Sequence, residues 1–124
     1  MINREEPYLG EGQTPVLSLK ALAKHFGLSN ISAKAEYLNP TGSYKDRIAA
    51  ATVQDAVRRG HTGWIGTSSG NGGAAMSAYG SRAGLPGFLC IPLSTPPEKL
   101  KSIVPYGTTL LLMDEIGMRE MDAI

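Results

Sequence analysis

Cysteine is almost missing from this chain: Cys90 is the only one among 124 residues. No internal disulfide can form, and the apolar run around Cys90 points to a buried thiol in a reducing compartment. Net charge is nearly absent too, at +1 from 12 basic and 11 acidic residues. That balance gives no electrostatic case for a nucleic-acid or membrane partner. The one adjacent basic pair, Arg58-Arg59, falls at an expected helix end, where cations are favoured anyway. No apolar run approaches the roughly 20 residues that span a bilayer. Residues 1–7 are too charged for a secretory signal. Together these absences point to a cytoplasmic protein. Metal chemistry lacks support as well. His25 lies on a short expected helix with no second metal-type ligand one turn away, so it is read as a surface or packing residue.

What is present is a regular alternation. The length suits one domain with a real core. After a Gly- and Pro-punctuated opening over residues 5–15, Ser18 is placed to cap a short helix. Leu19, Leu22, Ala23 and Phe26 share one face of it, and Gly27 is its stop. A strand is expected at 33–38 and a helix at 46–59, with Ala49, Val53, Ala56 and Val57 as its apolar face and Gly60 as its left-handed stop. Further strands are expected at 63–67, 87–91 and 108–113. Between them come a helix of small residues ending at Gly84 and another helix at 98–104, and Asp114-Glu115 begins a further helical stretch. Short links between alternating strands and helices imply an α/β fold: a three-layer α/β/α arrangement with a mostly parallel, doubly wound sheet of about four strands.

Two turns in this pattern carry chemistry. The first is Asn39-Pro40-Thr41-Gly42-Ser43-Tyr44-Lys45-Asp46-Arg47, between the first of these strands and its helix. A helix start presents free N–H groups and the positive end of a dipole, which disfavour a second positive charge. A lysine there is pushed toward the neutral, nucleophilic amine that forms a Schiff base with a carbonyl. The second is Gly66-Thr67-Ser68-Ser69-Gly70-Asn71-Gly72-Gly73, at the carboxyl end of a strand, the usual ligand position in open α/β sheets. Its glycines let the backbone come close, so that N–H groups can converge on an anionic oxygen. A carboxylate and a phosphate both suit such a loop. Gly70, Gly72 and Ala75 also satisfy a dinucleotide fingerprint. That fingerprint needs an acidic residue about 20 positions later, where this chain has Ile91-Pro92-Leu93-Ser94. The P-loop pattern fails because no Gly-Lys-Ser/Thr follows.

The turn around Lys45 resembles the cofactor-lysine segment of the fold-type II pyridoxal phosphate (PLP) enzymes. The Asn-Pro-Thr-Gly form with an aromatic residue before the lysine is most similar to threonine synthases. Gly10-Glu11-Gly12-Gln13-Thr14-Pro15 resembles the entry segment of the same enzymes, and Ser69-Gly70-Asn71 their Ser/Thr-Gly-Asn loop. The resemblance extends over about residues 10–107. It implies that Lys45 binds PLP as a Schiff base and moves protons on the substrate. It also implies that Asn71 hydrogen-bonds the cofactor's ring hydroxyl, and that Ser68, Ser69, Gly70, Asn71, Gly72 and Gly73 hold the substrate carboxylate. Gly72 departs from the family, where threonine is common, so one side-chain contact to substrate is missing.

The activity implied is that of a lyase in threonine biosynthesis, converting O-phosphohomoserine and water to threonine and phosphate. A cysteine-synthase-like β-replacement, a serine or threonine dehydratase, and a non-catalytic structural fragment are the alternatives. A small-molecule amino-acid substrate and a homodimer are also expected. Residues 1–32 are expected to belong to the larger domain of the family and residues 33–124 to its small domain. After Ser94 the sequence has no glycine-rich loop of the kind that cradles the PLP phosphate, since Gly107 and Gly117 stand alone. The chain is therefore expected to be the amino-terminal part of a longer enzyme that does not hold PLP tightly by itself, with the segment before residue 33 only loosely attached.

Overall fold

A computed structural model describes residues 7–114 together with Gly117 and Arg119. The helical stretch expected after Asp114-Glu115 lies outside the described residues. Strand β1 (Val16–Ser18) leads to helix α1 (Lys20–His25), strand β2 (Ser32–Lys34) and a 3₁₀ turn at Glu36–Leu38. Then come α2 (Lys45–Arg58), β3 (Trp64–Gly66), α3 (Asn71–Arg82), β4 (Gly87–Pro92), α4 (Pro97–Leu100), a second 3₁₀ turn at Val104–Tyr106, and β5 (Thr109–Met113).

The α/β class and the parallel sheet are as expected. The sheet has three strands in the order β3-β4-β5, both pairs parallel, with Ile65 opposite Phe88 and Cys90 opposite Leu111. The expected strand at 33–38 does not join it. Its first part, β2, pairs antiparallel with β1 (Val16 opposite Lys34, Ser18 opposite Ser32), a ladder that runs across the expected 32/33 division. Its second part coils, with Leu38 N–H donating to Ala35 O and Asn39 N–H to Glu36 O. The Asn39 side chain also donates to Glu36 O at 2.8 Å, drawing the backbone away from an extended path. Ser18 is thus the end of a strand rather than a cap, and on the six-residue α1 only Ala23 is buried, with Leu22 and Phe26 exposed. The helix expected at 98–104 is cut short. Proline at 97 suits a first turn, but Pro105 has no N–H to continue one, and Gly107 closes the segment at φ 72°.

The core sits on one face of the sheet. Ala74 of α3 meets Leu89, Ile91 and Ile103, while Ala75, Ala78 and Tyr79 pack against Ala49 and Val53 of α2. Small residues at this α2–α3 contact allow close approach. Trp64 joins both clusters, and glycine is required around its indole: a Cβ at Gly80 or at Gly87 would overlap the ring. Cys90 is buried and free, as expected. On the opposite sheet face Ile65, Phe88 and Leu111 are exposed at 60%, 44% and 40%. The described residues therefore build the sheet and the helical layer of one face. No helix among them is long and apolar enough to cross a membrane, and no group of three or more His, Cys, Asp or Glu among them is placed to hold a metal. His25 instead stacks edge-on against Phe26.

Candidate active site

The turn before α2 is closed by its own polar side chains. Asn39 O accepts from Gly42 N–H at 2.8 Å, and Gly42 takes φ 86°, a left-handed conformation that favours glycine. Asp46, fully buried, accepts the Thr41 N–H at 2.9 Å and the Thr41 hydroxyl at 2.7 Å. Ser43 Oγ accepts the Lys45 N–H at 3.2 Å, satisfying one of the free donors of the helix start. Lys45 is therefore the first helical residue, held by hydrogen bonds on both sides. Its own amine has no carboxylate in ion-pair reach among the described residues. Its Nζ lies over the ring of Tyr44, 4.8 Å from the centroid.

The second turn meets it. Ala74 N–H, bonded to Gly70 O at 3.0 Å, is the first of α3 to bond within the helix. The N–H groups of Asn71, Gly72 and Gly73 thus point beyond the helix end, where its dipole favours an anion. Gly73 is needed for packing, because a Cβ there would overlap the Ser68 carbonyl oxygen, and at Gly72 it would stand 3.0 Å from Ser68 Oγ. Lys45, Thr67, Ser68, Gly72 and Gly73 line one cleft of about 170 Å³, with Ile48, Ile65, Met76 and Leu89 as its apolar walls. Of the residues singled out in the sequence, Lys45, Ser68, Gly72 and Gly73 are brought together. Ser69, Gly70 and Asn71 sit on the same turn but do not line the cleft.

Sequence reasoning missed the polar clamp behind the lysine turn. Arg47 donates through Nε to Glu36 Oε2 at 2.9 Å and through Nη2 to Glu36 Oε1 at 2.8 Å. The same Nη2 reaches Gly12 O at 3.0 Å and Thr14 Oγ1 at 3.3 Å. Thr14 and Asn39 also donate to the Glu36 carboxylate, and Gly12 N–H donates to Asn39 Oδ1 at 3.0 Å. The Arg47 guanidinium, supported by Asn39 and Thr14, holds Glu36 down to about 2 against the opposing effect of desolvation. The segment before residue 33, expected to be loosely attached, is thus bound at Gly12 and Thr14. No local pattern signals a pair eleven residues apart. A wider groove of about 410 Å³ opens beside Glu11, Gly12, Arg47 and Gln54. Arg47, its one cation among the described residues, is committed to Glu36.

Comparison with known proteins gives the class. The family model for pyridoxal-phosphate dependent enzymes matches residues 8–123, and the chain belongs to that family. Threonine synthase of Halalkalibacterium halodurans is 41% identical over 113 residues, 89% of this chain and 32% of that protein. Threonine synthase of Mycobacterium leprae is 37% identical over 105 residues, 84% of this chain and 29% of that one. Among solved structures, O-ureido-L-serine synthase aligns with a TM-score of 0.76 at 30% identity, covering 90% of this chain and 38% of its own. A PLP-dependent aspartate racemase aligns with a TM-score of 0.74 at 26% identity, covering 89% and 38%. The chain spans about a third of the length of the curated relatives it matches. The cofactor of the family is PLP. The residues present fit part of it: the Lys45 amine, without a carboxylate in ion-pair reach among the described residues, lines a cleft beside the glycine-rich start of α3.

Proposed function

We propose that this chain supplies the lysine turn and the anion-binding loop of a threonine synthase, a lyase that converts O-phosphohomoserine and water to threonine and phosphate. The observation that carries the reading is the meeting of the Lys45 amine with the Ser68–Gly72–Gly73 turn in one cleft. The identity to threonine synthases across 84–89% of the chain supports this reaction over others. When bound, PLP supplies an electron sink for charge developing on the substrate carbons. Lys45 would hold the cofactor's carbonyl carbon and carry protons to and from the substrate. Asn71 would donate to the ring hydroxyl. The N–H groups at the start of α3, with the Ser68 and Ser69 hydroxyls, would bind the substrate carboxylate together with Gly70, Gly72 and Gly73. In this reading residues 1–32 belong to a larger domain and 33–124 to a small one, in a cytoplasmic homodimer that engages neither nucleic acid nor membrane.

The likeness to O-ureido-L-serine synthase supports a second reading, a replacement reaction at the β-carbon of a serine-type substrate. Assaying the complete protein with O-phosphohomoserine, O-acetylserine, serine and threonine separates the two. Phosphate release with threonine formation is expected from the first substrate. Turnover of O-acetylserine alone would replace the reading with the second.

A further inference from the structure

The first turn of α2 is fastened from outside the helix. Lys45, Asp46 and Arg47 carry N–H groups that have no helical carbonyl four residues behind them. The preceding turn supplies acceptors instead: Ser43 Oγ for Lys45, Ser43 O for Asp46 at 3.3 Å and Tyr44 O for Arg47 at 3.2 Å. With those donors taken, the Asp46 side chain is not needed as a cap. Both of its oxygens turn back to Thr41, one to the N–H at 2.9 Å and the other to the hydroxyl at 2.7 Å. This carboxylate is fully buried, and no cation among the described residues stands in ion-pair reach of it. Taking a carboxylate out of water without a counter-charge is costly. In return, the bonds that an ionised oxygen accepts are about twice as strong as neutral ones. A buried charge that commits both oxygens to a residue five positions earlier locks the loop between them. Lys45 lies inside that loop, next to its end, and lines the cleft with Ser68, Gly72 and Gly73.

We propose that Asp46 is a positioning residue for Lys45: its two bonds to Thr41 close the turn onto the start of α2 and keep Lys45 at the cleft. The proposal rests on Lys45 being the reactive lysine. Released from Asp46, the turn at 41–44 would open and the first turn of α2 would fray, as unsupported helix ends do. Lys45 would move with it, and a displacement of about 1 Å at a reacting group can cost about 100-fold in rate.

The test is trace methylation of the complete, cofactor-free protein with formaldehyde and cyanoborohydride. Peptide mapping then compares Lys45 with the exposed Lys99 and Lys101. Thr41→Val keeps the size of the side chain and the backbone bond but removes the hydroxyl donor. It should raise the Lys45-to-Lys99 labelling ratio by about threefold or more, a modest coupling for residues sharing one network. Thr41→Ser restores the donor and should keep the wild-type ratio. Asp46→Ala should raise the ratio at least as far, and Thr41→Val added to it should change nothing more. Val53→Ala truncates a buried side chain about two turns further along α2 and should leave the ratio unmoved. Should Asp46→Ala fail to fold, the two Thr41 variants set against Val53→Ala carry the comparison. Equal ratios in Thr41→Val and Thr41→Ser, a fully additive double variant, or an equal rise in Val53→Ala overturns the proposal. Trapping PLP with borohydride in the wild type is the control. Capture at another lysine refutes the lysine assignment, whereas capture at Lys45 with unmoved ratios refutes the positioning role alone.

Discussion

Replacing Gly73 by alanine tests the close approach on which the cleft depends. A Cβ at this buried position would overlap the Ser68 carbonyl oxygen and stand 3.0 Å from Leu89 Cδ2 and 3.1 Å from the Ser68 carbonyl carbon. Two of those three atoms are backbone, so no rotamer change relieves the contact. The turn carrying Ser68 must move or α3 must shift along β4. Helix propensity works the other way, favouring alanine over glycine by up to about 1 kcal/mol, and less in a first turn. Overpacking of this kind costs about 1–3 kcal/mol, so the net loss should be about 1–2 kcal/mol. Gly70→Ala is the matched control, because nothing lies within 4 Å of a Cβ there. Gly70 is the N-cap of α3, where glycine is preferred to alanine, so this control should cost no more than about 1 kcal/mol. Urea unfolding of the complete protein reads the stability difference, and PLP retained after gel filtration reads the effect on the cleft. Gly73→Ala should lower both. A Gly73→Ala protein as stable as wild type, with full retention, would show that propensity outweighs packing and that Ser68 does not sit where the structure puts it.

Borohydride reduction of the PLP-loaded protein, mapped by mass spectrometry, should mark Lys45; labelling of Lys20 or Lys34 with Lys45 untouched would end that assignment. Asn71→Ala should change the cofactor's absorbance and slow turnover about tenfold or more, by loss of a hydrogen bond to the reacting system, while the fold survives; an unchanged spectrum and rate would return Asn71 to a helix-start role. For acid stability the sign follows from Glu36. Its carboxyl is held below the ordinary 4.5, at about 2, so its contribution is complete above 4.5 and disappears as the pH falls through 2. Glu36→Gln should flatten the dependence of Tm on pH across that window, and an unaltered slope in thermal scans would contradict the clamp.

The parts of this molecule legible in its sequence are those set by local periodicity and by contiguous turns. Helix α2 was placed to within one residue because Ala49 and Val53 recur at helical spacing and Gly60 stops it. β3, β4 and β5 were visible as short apolar runs between Gly- and Pro-rich links. The failures come from long-range competition. Residues 35–38 are apolar enough for a strand, yet the Glu36 carboxylate is drawn to Arg47, Thr14 and Asn39, and the backbone coils to deliver it. The bond from Tyr79 to Glu11 spans 68 positions and leaves no trace in any window. In the site, Lys45 and the glycines of the second turn were readable as motifs, but their meeting in one cleft is a product of α2–α3 packing through alanines. Alanine at a contact signals closeness only once its partner is known.

That packing also explains why the reaction itself is hard to read from this stretch. The cleft of about 170 Å³ is smaller than the 300 Å³ or so at which ligand pockets begin. Among the described residues Lys45 is its only lining cation. Its other polar groups are neutral hydroxyls and N–H groups, which suit any amino-acid carboxylate and do not discriminate among side chains. Tyr44, Ile48 and Ile65 flank it at 53%, 51% and 60% exposure, an apolar rim with room for substrate or for other protein surface. Solved structures aligned over nine-tenths of the chain are named for a synthase of O-ureido-L-serine and for an aspartate racemase, and curated relatives for threonine synthase. A fold that carries a lysine turn and a glycine-rich helix start is therefore compatible with differently named activities. Selection between a phosphate leaving group and an ester or ureido oxygen requires contacts at the far end of the substrate. Among the described residues that line the cleft, Lys45 alone is charged, so nothing in the lining separates one such group from another.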